Sequence, residues 1–285
     1  MPFNPNEAVP AAGALPFDVL TIAGADAVPF AQAQFTSDVA ALRDGHWHWS
    51  AWLTPKGRVI ALFALLRIDA TTIRLLLPDH PAGALRERLQ RFVFRSKVRL
   101  EVGTDLVVEG RVGGDFPTAD GRSAIAAADD GDWLDLGGDG FARGLRIGAG
   151  ARTGADPAFV AAWQRADIAH GLPRLGPDQS ESWTPQMLGL DRLQAVSLRK
   201  GCYPGQEIVS RTHYLGQAKR GPVRLQVEDG VPGAEVLAED AAVGQLVSVA
   251  GDEALAVVAL DHAAAALRCG GRPCAALPFL PGLAR

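Results

Sequence analysis

The hydrophobic pattern of the chain changes period several times, and each change marks a predicted element. Val19-Leu20-Thr21-Ile22 predicts a short strand. Pro29 opens a predicted helix over residues 30–42, with Ala31, Phe35, Val39 and Leu42 on one face and Gly45 stopping it. Two strands follow, over 47–53 and 58–68, joined by Thr54-Pro55-Lys56-Gly57. Proline presets a negative φ and glycine supplies a positive one, which a tight hairpin turn requires. A strand over 72–77 precedes a helix over 82–94 with Leu85, Leu89, Phe92 and Val93 inward. Residues 97–102 alternate charged and apolar side chains, the pattern of a half-exposed strand.

Short Gly/Asp-rich segments fill 107–147. Asp156 and Pro157 then start a helix that reaches about residue 170. Residues 171–183 read as a polar loop, Thr184-Pro185 opens another short helix, and 193–198 lead into a cysteine turn. After about Gly216 the texture shifts to short strands at 223–227, 244–249 and 255–260, a small β-barrel or sandwich. Helices and strands with short antiparallel connections make the fold class α+β. The expected division is residues 1–215 and residues 216–285.

Composition narrows the function classes. The 285 residues are 48% hydrophobic and 21% charged, enough for a substantial core, and the net charge is -4. That balance gives no general attraction for nucleic acid, so direct nucleic-acid binding is not expected and any RNA contact would need a local basic patch. Three cysteines, Cys202, Cys269 and Cys274, are too few for a disulfide framework and point to a reducing compartment. The first residues lack a basic signal-peptide region, and the longest apolar run, 59–66, is too short to span a bilayer. A cytoplasmic protein without membrane contact is expected.

The chemistry concentrates at Lys200-Gly201-Cys202-Tyr203-Pro204-Gly205-Gln206-Glu207. A thiol stands between glycines, behind a cation and ahead of a predicted helix over 206–212, whose Ile208, Val209, Thr212 and Leu215 form a semi-apolar face. Near a helix N-terminus and beside Lys200, Arg199 or Arg211, such a thiol is expected to ionise more readily than a free one. A buried structural cysteine in a tight turn is the alternative. Gly148 to Gly154 resembles a dinucleotide loop, but its third glycine falls one position late and no acidic residue follows at the required distance. His46 and His48 share a strand face and read as surface or edge-strand residues, while Cys269 and Cys274 offer only two thiols around a Gly/Pro turn. Trp47, Trp49 and Trp52 are either core or a stacking wall for a planar heterocycle.

Taken together, these motifs resemble the YgfZ family of folate-binding proteins, relatives of the glycine cleavage T-protein. The segment from Lys200 to Arg211 resembles the KGCYxGQE signature, with Gly201, Tyr203, Gly205, Gln206, Glu207 and Arg211 at signature positions. Phe35-Thr36-Ser37-Asp38-Val39, then Trp52 to Val59, resembles the family's N-terminal pattern. Ala169 to Pro173, Thr184 to Met187, and Tyr214 to Arg220 resemble the runs flanking the signature.

The resemblance implies two α+β lobes around a central folate-sized hole, followed by a C-terminal β-barrel. It implies tetrahydrofolate binding and a role in making or repairing iron–sulfur clusters, with effects on tRNA thiomodification enzymes. Iron–sulfur assembly or client proteins would be partners. Cys202 would be the functional thiol, a possible transient ligand rather than a resident metal site, with Lys200 supporting its ionisation. Trp47, Trp49, Trp52 and Asp167 are candidate folate contacts.

One position departs from the T-protein pattern: Ala169 stands where T-proteins carry a glutamate that binds the pterin. Asp167 is two residues earlier and, on a helix, points to a different side. A folate-dependent aminomethyl transferase is therefore the alternative reading. A cysteine hydrolase would need a base, and His213 lies about three helical turns from Cys202.

Overall fold

The computed structural model describes residues 11–214, 216 and 218–285. Its first sheet is built from β2 (Asp18–Ala23), β3 (His46–Leu53), β4 (Val59–Asp69), β5 (Thr72–Leu77) and β6 (Arg99–Val102), in the order β3-β4-β5-β2-β6. The second sheet combines β1 (Ala12–Ala14), β7 (Leu106–Val112), β8 (Ala126–Ala128), β9 (Gly131–Asp135) and β10 (Arg143–Ala149) as β1-β7-β10-β9-β8. Each pairing is antiparallel. Helices α1 (Ala27–Gln34) and α2 (Ala82–Gln90) pack on the first sheet, and α3 (Pro157–Ala169) packs against β1 and the barrel. The cysteine turn leads into α4 (Gln206–Tyr214).

The last unit is a closed barrel of β11 (Arg220–Gln226), β12 (Glu235–Ala238), β13 (Ala241–Ala250), β14 (Glu253–Ala259), β15 (Leu267–Cys269) and β16 (Arg272–Leu277). The α+β class and the C-terminal barrel read from the sequence are borne out, and closure decides between barrel and sandwich. A barrel leaves no edge strand to pair with another chain.

Period-two alternation along β3 and β4 divides the core. Trp47, Trp49, Ala51 and Leu53 face the large central cluster, which also takes Trp163, Leu172, Trp183, Tyr203 and Val257. Trp52, Phe63 and Leu65 face the cluster under α1 and α2.

Three predicted boundaries move, each for a local reason. The helix expected over 30–42 is α1, which starts three residues earlier with Pro29 inside its first turn and ends at Gln34. Phe35 is extended and bridges Trp52, while Thr36 N–H donates to Ala51 O at 3.0 Å, so strand pairing replaces the next helical turn. The second helix stops at Gln90 rather than Phe94. Phe92 N–H donates to Leu89 O and Val93 N–H to Gln90 O, tightening the chain out of α geometry. Phe92, expected inward, is 47% exposed, while Val93 packs against the core under α1 and α2 as expected. The strand expected from residue 97 begins at Arg99, because Lys97 N–H is held by the Asp26 carboxylate at 2.7 Å. The short helix expected after Pro185 is a run of turns. Leu215, placed on the α4 face by its spacing, lies outside the described residues, as do residues 1–10.

Candidate functional site

The cysteine turn is seated on the Phe35–Asp38 segment. Thr36 carries the join: its hydroxyl donates to Ala195 O at 2.7 Å and accepts from Ala51 N–H at 2.9 Å, while its carbonyl accepts from Ser197 N–H at 2.8 Å. Lys200 completes it. The buried ammonium donates to Phe35 O and to Ser37 O, the latter at 2.8 Å, and lies 5.1 Å from the centre of the Tyr203 ring. Burial lowers its pKa to about 8, with Asp38 opposing the shift. The breaking of α1 at Phe35 is what frees these carbonyls for Lys200.

The same segment holds a polar cluster that sequence reasoning missed. Ser37 Oγ donates to Ser50 Oγ at 2.6 Å and contacts His48 Nε2 at 2.8 Å. Burial, reinforced by the Lys200 charge, pushes the His48 pKa down to about 4. His46 does share its strand face, at the surface, contacting Asp44 O and Arg43. The signal for the cluster was the polar run Thr36-Ser37-Asp38 opposite His48 and Ser50 on a strand otherwise rich in tryptophan.

Two glycines shape the turn beyond Lys200. Gly205 has φ +79° and Gly57, in the β3–β4 turn, has φ +70°. A Cβ on Gly205 would stand 2.6 Å from Thr54 O and 2.8 Å from Gly57 Cα. Backbone therefore packs on backbone, and the two turn motifs found separately in the sequence are halves of one contact. Gly201 behaves differently, since a Cβ there meets nothing within 4 Å.

The remaining signature residues separate into buried and open groups. Tyr203 is buried, which raises its phenol pKa to about 12. Gln206 Nε2 donates to Lys200 O at 3.4 Å, and Val209 anchors α4 in the core. Cys202, Glu207 and Arg211 are exposed. The thiol stands four residues before the first residue of α4. Lys200, expected to support its ionisation, instead spends its ammonium on two carbonyls of the N-terminal lobe. Cys269 is buried in the barrel and Cys274 is half-buried; among the described residues no cluster of three or more metal-capable side chains occurs.

The candidate folate contacts are not brought together. Trp47 and Trp49 meet edge to face at 5.3 Å in the central core, while Trp52 takes the opposite strand face, so the three form no single wall. Asp167 is buried between two arginines, at 2.6 Å from Arg143 and 3.0 Å from Arg174, and Arg174 also binds Asp79 at 2.8 Å. Its carboxylate is a structural counter-ion. No helix is long and apolar enough to cross a membrane among the described residues.

The position where T-proteins place a carboxylate is covered by the segment after the barrel. Leu280 N–H donates to Ala169 O at 2.8 Å, and Trp49 Nε1 donates to Leu283 O at 2.8 Å. Leu283 is buried in the central cluster, and the Arg285 guanidinium caps Asp135 O and Gly137 O over the Trp47 ring. His170 Nε2 and Trp47 Nε1 are buried beside this segment with no hydrogen-bond partner among the described residues. Arg192 extends along Gly171 and stacks on Phe279 at 4.2 Å. From Arg192 a cavity of about 490 Å³ opens between α4 and the barrel, lined by Asp191, His213, Arg220, Pro222 and Leu260 among others.

Similarity to known proteins agrees with this geometry. Residues 219–279 match the family described as CAF17, C-terminal beta-barrel domain. The tRNA-modifying protein YgfZ of Colwellia psychrerythraea is 25% identical over 229 residues, covering 72% of this chain and 67% of its own length. That of Klebsiella pneumoniae is 28% identical over 217 residues, covering 70% and 66%. An uncharacterized protein of Haemophilus influenzae is 27% identical over 220 residues, covering 74% and 71%. The crystal structure of the glycine cleavage system aminomethyltransferase T from Bartonella henselae superposes with a TM-score of 0.69 at 16% identity, covering 96% of this chain and 86% of that one. The resemblance read from the signature is borne out, and the solved structure shares the fold.

Proposed function

We propose that this YgfZ-like chain is a tetrahydrofolate-binding accessory protein for iron–sulfur cluster assembly or repair, with consequent effects on tRNA thiomodification, and that Cys202 is its working thiol. The YgfZ similarity and the T-protein-like fold support a YgfZ-type role in outline. The observation that carries the finer reading is the contrast within the turn: Lys200 and Tyr203 are buried and Gly205 packs on the Thr54–Gly57 turn, while Cys202 is exposed to solvent. A thiol displayed on so constrained a scaffold is accessible to a metal, a sulfur donor or a client protein.

The cavity between α4 and the barrel suits a folate in size and in donor set. Asp191 offers a carboxylate for the amino-pyrimidine edge of a pterin, Arg192 and Arg220 offer guanidinium groups for glutamyl carboxylates, and Pro222 and Leu260 offer apolar walls. A bound folate would supply a one-carbon carrier or a redox-active pteridine. The transferase reading has no carboxylate at residue 169 to support it, and fold alone does not carry an activity.

Calorimetric titration with tetrahydrofolate tests both halves of the proposal. Wild type and Cys202→Ala are expected to bind alike, and Arg192→Ala to lose affinity. In cells, Cys202→Ser is expected to lower the activity of cluster-dependent enzymes. Unchanged activity there would remove the thiol from the function, and absence of binding to wild type would remove the folate.

A further inference from the structure

We propose that the segment from Arg86 to Arg99 is an RNA-binding surface, gripping phosphates through Arg86, Arg91, Arg95 and Lys97 and stacking a base on Phe94. It goes beyond the folate reading and needs neither folate nor Cys202.

Charge is sharply segregated here. Six of the chain's 28 basic residues but only one of its 32 acidic residues, Glu87, fall between 86 and 99. Two of the six are engaged: Arg88 pairs with Glu181 at 2.8 Å and Arg99 with Glu101 at 3.0 Å. Arg86, Arg91, Arg95 and Lys97 are exposed and make no ion pair among the described residues. The net charge of -4, which argues against general nucleic-acid attraction, conceals this local reversal of sign.

The aromatic groups distinguish RNA from other polyanions. Phe94 is 85% exposed, and the Arg95 guanidinium lies 5.2 Å from the centre of its ring. A ring and a guanidinium side by side in solvent form a platform on which an unpaired base can stack, with cations at hand for the flanking phosphates. A lipid surface fits less well. Residues 91–98 are turns and irregular backbone rather than an amphipathic helix, and Phe92 is held edge-on against Trp52 at 6.0 Å instead of being free to insert. That contact also fixes the platform in space. Trp52 sits two residues before the Thr54–Gly57 turn that packs on Gly205.

Fluorescence anisotropy with an unmodified tRNA transcript, titrated between about 50 and 200 mM salt, tests the assignment. Four phosphate contacts predict that log Kd rises with log salt at a slope of about 3, and Arg91→Gln/Arg95→Gln should reduce that slope by about 1.5. The double variant should weaken binding at least about tenfold at the lower salt. Phe94→Ala should weaken binding while leaving the slope in place. The barrel variant Arg268→Gln/Arg272→Gln, which removes the same charge elsewhere, should bind like wild type. A thermal melt confirms that these surface variants stay folded. The proposal is overturned if wild type does not bind, or if the double variant binds as wild type does. It is equally overturned if the wild type binds phosphatidylglycerol vesicles through these residues and not the transcript.

Discussion

Gly57 and Gly205 meet backbone to backbone, each with positive φ; a Cβ on Gly205 would strike the Thr54–Gly57 turn, and one on Gly57 would meet Ile208 Cβ at 2.9 Å. Gly57 ends the tight turn between β3 and β4, while Gly205 ends the cysteine turn, so this contact fixes the turn against the first sheet. Gly205→Ala combines a left-handed backbone with a 2.6 Å clash on Thr54 O. It should cost about 2–4 kcal/mol, read as a fall in Tm. Gly201→Ala, with open space around it, should change stability by less than about 0.5 kcal/mol.

The His48 cluster makes stability depend on pH in a defined window. The folded-state pKa of about 4 lies below the ordinary 6.5, so between these values the unfolded chain binds a proton that the folded chain refuses. This contribution is whole above pH 6.5 and is lost as pH falls through 4, for a total of at most about 3 kcal/mol. His48→Gln should flatten that part of a urea-denaturation profile measured from pH 7 to pH 4.

Lys200 is, like His48, a base whose charged form burial disfavours, and it acts with the same sign. Its pKa, lowered from 10.5 to about 8, means that the folded chain releases a proton before the unfolded one does. Stability should therefore rise from pH 8 to pH 10.5 in wild type relative to Lys200→Met. At pH 7 the same substitution leaves Phe35 O and Ser37 O without their ammonium donor. Protease susceptibility of the 195–206 segment should increase in Lys200→Met, because that donor holds the turn on the N-terminal lobe.

How much of this was legible depended on whether a signal was local. The strands β3, β4 and β5, the α3 start at Asp156 and the barrel strands all follow from alternation and capping, which act over a few residues. Phe35 shows the limit. Its spacing with Ala31 and Val39 is helical, yet a bridge to Trp52 and the demands of Lys200, 165 residues later, pull it into extended form. The tryptophans show another limit, because alternation places Trp52 opposite Trp49 on β3, so nearness in sequence did not mean a shared wall. The sequence left a reactive and a buried Cys202 both open; its exposure, with Lys200 and Tyr203 buried on either side, depends on long-range contacts.

Asp167 supplies the sharpest test of structural against ligand-binding roles. The carboxylate is the shared counter-ion of Arg143 and Arg174, and all three are buried. Removing one partner from a buried ionic group leaves uncompensated charge, which costs about 3–5 kcal/mol. Asp167→Asn keeps the shape and loses the charge, so it should unfold at markedly lower denaturant concentration, with no folate present. A ligand-binding carboxylate would behave differently: its amide would fold as wild type does and show its defect only in titration with tetrahydrofolate. Denaturation and calorimetry on the one variant thus separate the two roles, and Asp79→Asn, which pairs with only one of the two arginines, should fall between Asp167→Asn and wild type.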